Sequence, residues 1–440
     1  MDNKERLELA HWAVAEARRA GADDAAVDIG YSRDIEIEHR DGKLDQLKES
    51  TESSLNLTLY VQNRYSSHST NDLRREALSK FISEAVAMTK YLAQDPDRRI
   101  TDPKYYQGRQ QLDLKLYDAA YESVAAEDRV RLARECEQAA RAAGEKVLTA
   151  TGYYSDSLSG SVKVHSNGFE GERHGTTFSI GVEASVQGEG GTRPSDWDER
   201  TVRFVREFPQ PAVLGENAVR RALARIGQTK IASGVYDMVV ENRTASRLLG
   251  PLFGPLSGSG LYRKNSYLDG RLGQKIASEK LTLIDDPFIE SGLGSRLYDG
   301  EGMSTRKRVI IDKGVLRTFL IDCYYGRKLK MEPTGAGTSN LVFEYGTRSL
   351  DELVAQMTRG ILVTNFVGGN SNSTTGEFSF GVAGLLVENG RVVQPVNEMN
   401  IAGNFLEFWQ QLAEVGNDPY IYSSTRRPSM YFKDVQFAGL

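Results

Sequence analysis

The feature that most constrains this chain is a duplication in its first half. Leu7, Leu9, Ala10, Ala17, Arg18, Ala20 and Gly21 line up with Val130, Leu132, Ala133, Ala140, Arg141, Ala143 and Gly144 at a constant offset of 123 (132 minus 9). In both copies the apolar positions recur at helical spacing, and a glycine stands where a helix would stop. Strand-like sequence and a hairpin signal follow each helix. The turn is Asp41-Gly42 in one copy and Asn167-Gly168 in the other, both suited to a two-residue type I′ turn. Then Leu55, Leu57, Leu59 and Val61 match Phe178, Ile180, Val182 and Ala184 at the same offset. A period of two puts those side chains on one face of an antiparallel sheet. A second helix closes each unit, expected over Leu73 to Tyr91 and Gly215 to Ile226.

The predicted fold class is therefore α+β. Residues 1–230 form an N-terminal domain of duplicated helix–antiparallel sheet–helix units, at about 1–110 and 120–228. Gly227 to Gly234 is the candidate linker, and residues 235–440 a strand-rich α+β C-terminal domain. Strands are expected at Val235 to Val240, Val309 to Ile311, Leu316 to Ile321, Ile361 to Phe366 and Gly384 to Glu388. Helices are expected at Ser349 to Arg359, with Ser349 as N-cap and Glu352 completing a capping box, and at Leu406 to Val415.

Composition narrows the function classes. Sixty acidic against 55 basic residues leave a formal charge of -5 and no basic stripe, which argues against nucleic acid as a partner. With 40% hydrophobic residues the chain can build full cores. No apolar run approaches membrane-spanning length, and the start, Met1-Asp2-Asn3-Lys4-Glu5-Arg6, lacks the apolar core of a signal peptide. Cys136 and Cys323 fall in different predicted domains and read as free buried thiols in a reducing compartment. The expectation is a cytoplasmic protein without a membrane partner.

The second half carries the most specific motifs. They include Tyr262-Arg263-Lys264, Leu272-Gly273-Gln274, Asp285-Asp286-Pro287, Asp299-Gly300-Glu301-Gly302, Arg306-Lys307, Lys313-Gly314-Val315-Leu316 and Thr334-Gly335. The tracts Gly376 to Gly381 and Glu398 to Asn404 complete the set. In number and order they resemble the TldD/PmbA family of zinc metallopeptidases. The zinc-bearing subunit of that family, TldD, has a His-Glu-x-x-x-His helix and a cysteine near its C-terminus. Here Gly250, Pro251 and Pro255 fall near the two histidines and the glutamate, and Ser423 to Pro428 occupies the cysteine's region. No histidine follows His174, although a hydrolytic zinc site needs three protein ligands and usually takes imidazole. Two prolines in that segment are also expected to forbid a regular helix.

The resemblance thus implies a PmbA/TldE-like subunit with no metal ligands and no catalytic residues of its own. It implies zinc on a TldD-type partner in a heterodimer, or a homodimer when alone, acting on unfolded or small peptides. The alternative is a stand-alone peptide-binding or regulatory protein that self-associates. Family members have been labelled modulators of DNA gyrase, a reading the charge balance does not support.

Other chemistry is weaker. His165 and His174 flank the second hairpin with Glu170 and Glu172 between them, a conceivable metal site, but an exposed polar hairpin accounts for them better. Ser257-Gly258-Ser259-Gly260 reads as a flexible turn rather than a nucleophile elbow. Gly368 to Thr375 reads as a surface loop. The polar cluster Arg263, Asp299, Glu301 and Arg306 is either a peptide groove or a set of structural ion pairs.

Overall fold

A computed structural model describes residues 1–440. The first copy runs α1 (Asn3–Arg19), β1 (Asp24–Arg40), β2 (Lys43–Val61), β3 (Arg64–Thr70) and α2 (Arg75–Thr89). The second runs α3 (Ala126–Ala142), β4 (Val147–His165), β5 (Glu170–Val186), β6 (Ser195–Val202) and α4 (Pro211–Leu223). The two copies share one six-stranded sheet in the order β3-β2-β1-β4-β5-β6. They join antiparallel through their first strands, and Asp34 lies opposite Ser157. That pair differs by the repeat offset itself (157 minus 34), so a pseudo-two-fold axis passes between them. Helices cover one face of each half, over two cores of 19 buried apolar residues each.

The alternating positions point inward as expected: Leu55, Leu57, Leu59, Phe178, Ile180 and Val182 are all fully buried. Their register is not the one the common offset implied. Ile29 faces Leu55, whereas its counterpart Gly152 faces Val182 and not Phe178. The second hairpin is longer in each arm, so β5 stands four residues further along. An even slip preserves the period of two, and every side chain keeps its face. The turns differ as well. Asp41 and Gly42 both have positive φ, 50° and 79°, as a type I′ turn requires. The second hairpin turns instead through three residues: the N–H of Gly168 donates to His165 C=O, and that of His165 to Phe169 C=O. Gly168 alone has positive φ, 101°, which is the bulged three-residue type.

The remainder begins with β7 (Gly234–Val240), α5 (Ser246–Leu256) and α6 (Gly258–Tyr262). A small sheet region follows: β8 (Leu283–Asp286), β9 (Arg308–Asp312), β10 (Val315–Leu316), α7 (Cys323–Leu329) and β11 (Asn340–Phe343). Then come α8 (Leu350–Ala355), β12 (Arg359–Ser371), β13 (Glu377–Glu388), β14 (Arg391–Asn404), α9 (Phe405–Phe408), β15 (Leu412–Val415) and β16 (Met430–Ala438). Strands β14-β13-β12-β7-β16 pair in sequence, and β16 returns to β14, so five strands close into a barrel with β15 appended. Closure leaves an interior that side chains must fill. Phe378, Phe380, Phe405, Phe408, Phe432 and Phe437 do so, within a core of 41 buried apolar residues.

Several local expectations are corrected. The capping box of Ser349 and Glu352 is present, but its helix stops at Ala355, and Arg359 already opens β12. The segment 406–415 is not one helix: α9 gives way to a 3-10 turn and then β15, whose residues pair with β16. The strand expected through Ile321 ends at Leu316. The polar run from Gly368 is not wholly loop, since β12 continues to Ser371 past a bulge between Val367 and Asn370. Ser257 is the N-cap of α6 rather than part of a flexible turn, its Oγ accepting from Gly260 N–H at 3.0 Å. Cys136 and Cys323 are both free and buried.

Candidate functional site

The segment corresponding to the zinc helix is a helix after all: α5 holds its form with Pro251 and Pro255 inside it. A proline costs a helix interior roughly 3 kcal/mol through its lost donor and its ring clash. Against that, Leu248, Leu249, Leu252 and Leu256 are buried to within 1% exposure. Each buried leucine contributes about 2 kcal/mol, so burial overrides propensity. The outer face of α5 bears Gly250 and Gly254, both exposed, while Pro255 is buried in the core. A Cβ added at Gly250 would meet nothing within 4 Å. Glycine has no side-chain donor, and proline carries no lone pair able to ligate a metal, so these three residues do not fit zinc.

Beside that face runs an open strand edge. β7 pairs with β12 only over Gly360–Val363, so beyond Val363 the far part of β12 has β13 on one side alone. Arg247 of α5 spans the space, donating from Nη2 to Gly369 C=O at 2.6 Å and to Gly368 C=O at 3.0 Å. Its guanidinium also lies 4.6 Å from the centre of the Phe380 ring. An extended peptide could lay its backbone along such an edge.

The polar cluster singled out in the sequence does not assemble as one group. Arg263 caps the C-terminus of α6 and is exposed. Arg306 is exposed and forms no ion pair with Asp299 or Glu301. Asp299 is buried, and its Oδ1 accepts from the N–H groups of Glu301 at 2.9 Å and Met303 at 3.0 Å, which holds the turn Asp299 to Met303. Burial raises its carboxyl above the usual range, and Oδ2 has no hydrogen-bond partner. Glu301 turns the other way: its Oε2 accepts from Cys323 N–H at 2.9 Å, at the start of α7. Burial, with Asp299 and Asp322 nearby, pushes it up to about 7.

The ion pair that organises this region was not singled out. Arg308, two residues past Arg306, donates from Nε to Asp285 Oδ2 at 3.0 Å. Its other nitrogens reach the carbonyls of Thr334, Gly335 and Gly337, the last at 2.6 Å. Asp285 Oδ1 accepts from Ser339 N–H at 2.6 Å and from Ser339 Oγ. Thus Asp285-Asp286-Pro287 and Thr334-Gly335 meet in one structural clamp. The available signal was positional: Asp285 and Arg308 are cross-strand neighbours on β8 and β9.

The histidines are separated. His165 is buried, not part of an exposed hairpin, and its Nδ1 lies 2.9 Å from the Tyr106 hydroxyl. Burial lowers it to about 3. His174 instead stacks on Tyr117, ring centres 4.1 Å apart. Nowhere do three or more His, Cys, Asp or Glu side chains gather as a metal site. No helix is long and apolar enough to cross a membrane.

Comparison with known proteins places this geometry. Domain 1, the central domain and the C-terminal domain of the PmbA/TldA metallopeptidases match residues 25–89, 120–226 and 233–439. The metalloprotease PmbA of Escherichia coli O157:H7 is 30% identical over 441 residues, covering 98% of this chain and 96% of that protein. A TldD homologue from Buchnera aphidicola aligns at 30% identity over 46% of this chain and 45% of its own length. Among solved structures, a protein from Bacteroides thetaiotaomicron described as a candidate modulator of DNA gyrase superposes with TM-score 0.97 at 41% identity, covering 100% of both chains. TldE from Thermococcus kodakarensis shares the fold, with TM-score 0.87 at 23% identity over 98% of this chain and 100% of its own.

Proposed function

The chain belongs to the PmbA/TldD family of metallopeptidases, and from that premise we propose that it is the PmbA/TldE-type subunit of a cytoplasmic heterodimer. A separate TldD-type chain carries the zinc, and this chain supplies walls and substrate contacts for unfolded or small peptides. One observation carries the reading: α5 is a helix with a buried leucine face, while Gly250, Pro251 and Pro255 offer no metal donor. Alignment over nearly the full length of a PmbA relative, against about half of a TldD homologue, supports the same side of the family.

Bound on the partner, zinc would supply Lewis-acid polarisation and a water activated at neutral pH. No step is assigned to this chain's own α5. Its contribution is positional: the open edge of β12 beyond Val363, with Arg247 fixing the Gly368 and Gly369 carbonyls, orients an extended backbone. Asp299 and Glu301 hold turns and Arg263 and Arg306 stay exposed, so the peptide role expected of those four passes to the β12 edge.

The test is reconstitution. The chain alone is expected to retain no stoichiometric zinc and to cleave no peptide, and to gain chelator-sensitive cleavage with a TldD-type sibling. Native mass measurement reports the assembly. Cleavage by the lone chain, abolished by a chelator, would overturn the proposal. A stable homodimer that ignores the sibling would favour the stand-alone binding protein instead.

A further inference from the structure

Between the sheet of the first half and the loops preceding β9 lies a cleft of about 760 Å³. Its walls carry five basic side chains, Lys115, Arg173, Arg203, Arg206 and Arg296, against two acidic ones, Asp113 and Glu172. Lys115 has an acid partner, Glu290 at 2.6 Å. None of the four arginines does.

Their existing bonds go to neutral groups. Arg203 donates from Nη1 to Thr176 C=O at 3.0 Å and from Nη2 to Leu293 C=O at 2.9 Å, and its buried Nε is unpartnered. Arg296 donates to Thr338 C=O at 2.8 Å, and its Nε is likewise buried without a partner. Arg173 reaches Tyr298 C=O and lies 4.4 Å from the Tyr298 ring centre. Arg206 is exposed and stacks 4.3 Å over Phe204. Carbonyls satisfy donors but do not cancel charge, and partly buried cations without counter-charge are unfavourable unless an anion completes them. Burial lowers the pKa of both Arg203 and Arg296; at Arg296 the shift is helped by Arg173 and opposed by Asp285 and Asp299, whereas no acid opposes it at Arg203. The arginines come from both halves of the chain, so an anion seated here would also brace the two against each other.

The rest of the lining narrows the anion. Leu112, Leu114, Leu116, Leu293 and Leu297 give the cleft an apolar wall beside its cationic one. A free phosphate has nothing to place there, whereas a chain end has both a carboxylate and a side chain. We propose that this cleft binds the free C-terminal carboxylate of a peptide, its last side chain lying against the leucines. The proposal rests on the peptide-handling reading above and deepens it: selection by chain terminus, on the zinc-free subunit. Planar guanidinium forks match a carboxylate in two parallel bonds, which an amide terminus cannot reproduce.

The experiment is calorimetric titration of the full chain with an acetylated leucine-ended tripeptide as free acid, with the same tripeptide as C-terminal amide, and with inorganic phosphate. The acid is expected to bind at least about tenfold tighter than the amide, since a charge-assisted bond is the difference. Arg206→Ala and Arg173→Ala, whose side chains are exposed, are each expected to weaken the acid by about tenfold and leave the amide unchanged. Circular dichroism verifies that both variants fold. Equal binding of acid and amide, or wild-type affinity for the acid in both variants, overturns the proposal. Phosphate that binds and is lost in the variants while the acid does not bind also overturns it, moving the site to a phosphate ligand. The outcome is independent of partner activation: a chain that activates its sibling yet fails the acid–amide contrast sinks only the cleft, and the reverse sinks only the heterodimer.

Discussion

The two copies in the first half began as the same unit, and the difference between them lies in what each helix presses against the sheet. Both cores contain 19 buried apolar residues, so size does not separate them. In the first copy α1 rests on side chains: Ile29 is fully buried beneath it, and Val14 faces the core. At the equivalent positions the second copy has Gly152 and Glu137. Without a side chain at 152, α3 descends until a Cβ there would lie 2.0 Å from Ala133 O and 2.6 Å from Glu137 N. Glu137 then reaches the other copy: its carboxylate accepts from Gly42 N–H at 3.1 Å and pairs with His39 at 2.8 Å and Arg141 at 2.6 Å. The first copy's helices rest on an apolar layer that Val162 and Val164 of β4 complete. The other uses the same scaffold to grip the hairpin tip of its twin.

That comparison breaks most readily at position 152. Gly152→Ile, which copies the first unit's residue, is expected to cost about 4 kcal/mol or more, because the obstruction is backbone and α3 must lift. Urea denaturation measures it, and an unchanged midpoint would mean the two helices stand at the same height. The reciprocal change, Ile29→Ala, is expected to cost about 3 kcal/mol by leaving a cavity, with no helix free to settle into it.

Glu137→Ala is expected to cost about 3 kcal/mol, since Arg141, His39 and the Gly42 N–H lose their shared acceptor. The same site has a pH signature. Burial alone would raise the Glu137 carboxyl, but Arg141, His39 and Gly42 outweigh burial and hold it below its ordinary 4.5. A depressed folded pKa gives stability that is present above the unfolded value and lost as pH falls through the folded one. Stability of the wild type should therefore fall more steeply below about pH 4.5 than that of Glu137→Gln, as thermal melts across the acid range would show.

The smallest expected effect is at the helix starts. α1 opens with a capping box in which Asp2 accepts from Glu5 N–H at 2.8 Å, while its counterpart at α3, Ala125, makes no such bond. Asp2→Ala should cost about 1 kcal/mol, and Ala125→Asp should return a similar amount to the second copy. Melting temperatures that move in the same direction for both would contradict the equivalence of the two starts.

How far the sequence reaches can be read from particular residues. The inward faces of β2 and β5 were legible because a period of two survives any even slip, and the same fact hid the four-residue displacement of β5. The turn at Asp41-Gly42 was legible because two positive φ angles demand those residue types; at Asn167-Gly168 one positive φ sufficed, and composition cannot count loop residues. Arg306 and Arg308 stand in one charged run, and only the pairing of β8 with β9 tells which of them meets Asp285. The helical form of α5 was hidden because local rules price its prolines and not the leucines beneath.

By itself, then, the order of residues determined the duplicated architecture, the inward faces of its strands, the family, and the lack of metal donors at Gly250, Pro251 and Pro255. Those are properties of spacing and side-chain chemistry, present before any folding. Tertiary structure alone decided the strand register, the survival of α5, the Asp285–Arg308 clamp and the meeting of four arginines that form no ion pair. Each of these depends on which distant segments come into contact, and contact energies between distant segments are not written in any local window of the chain.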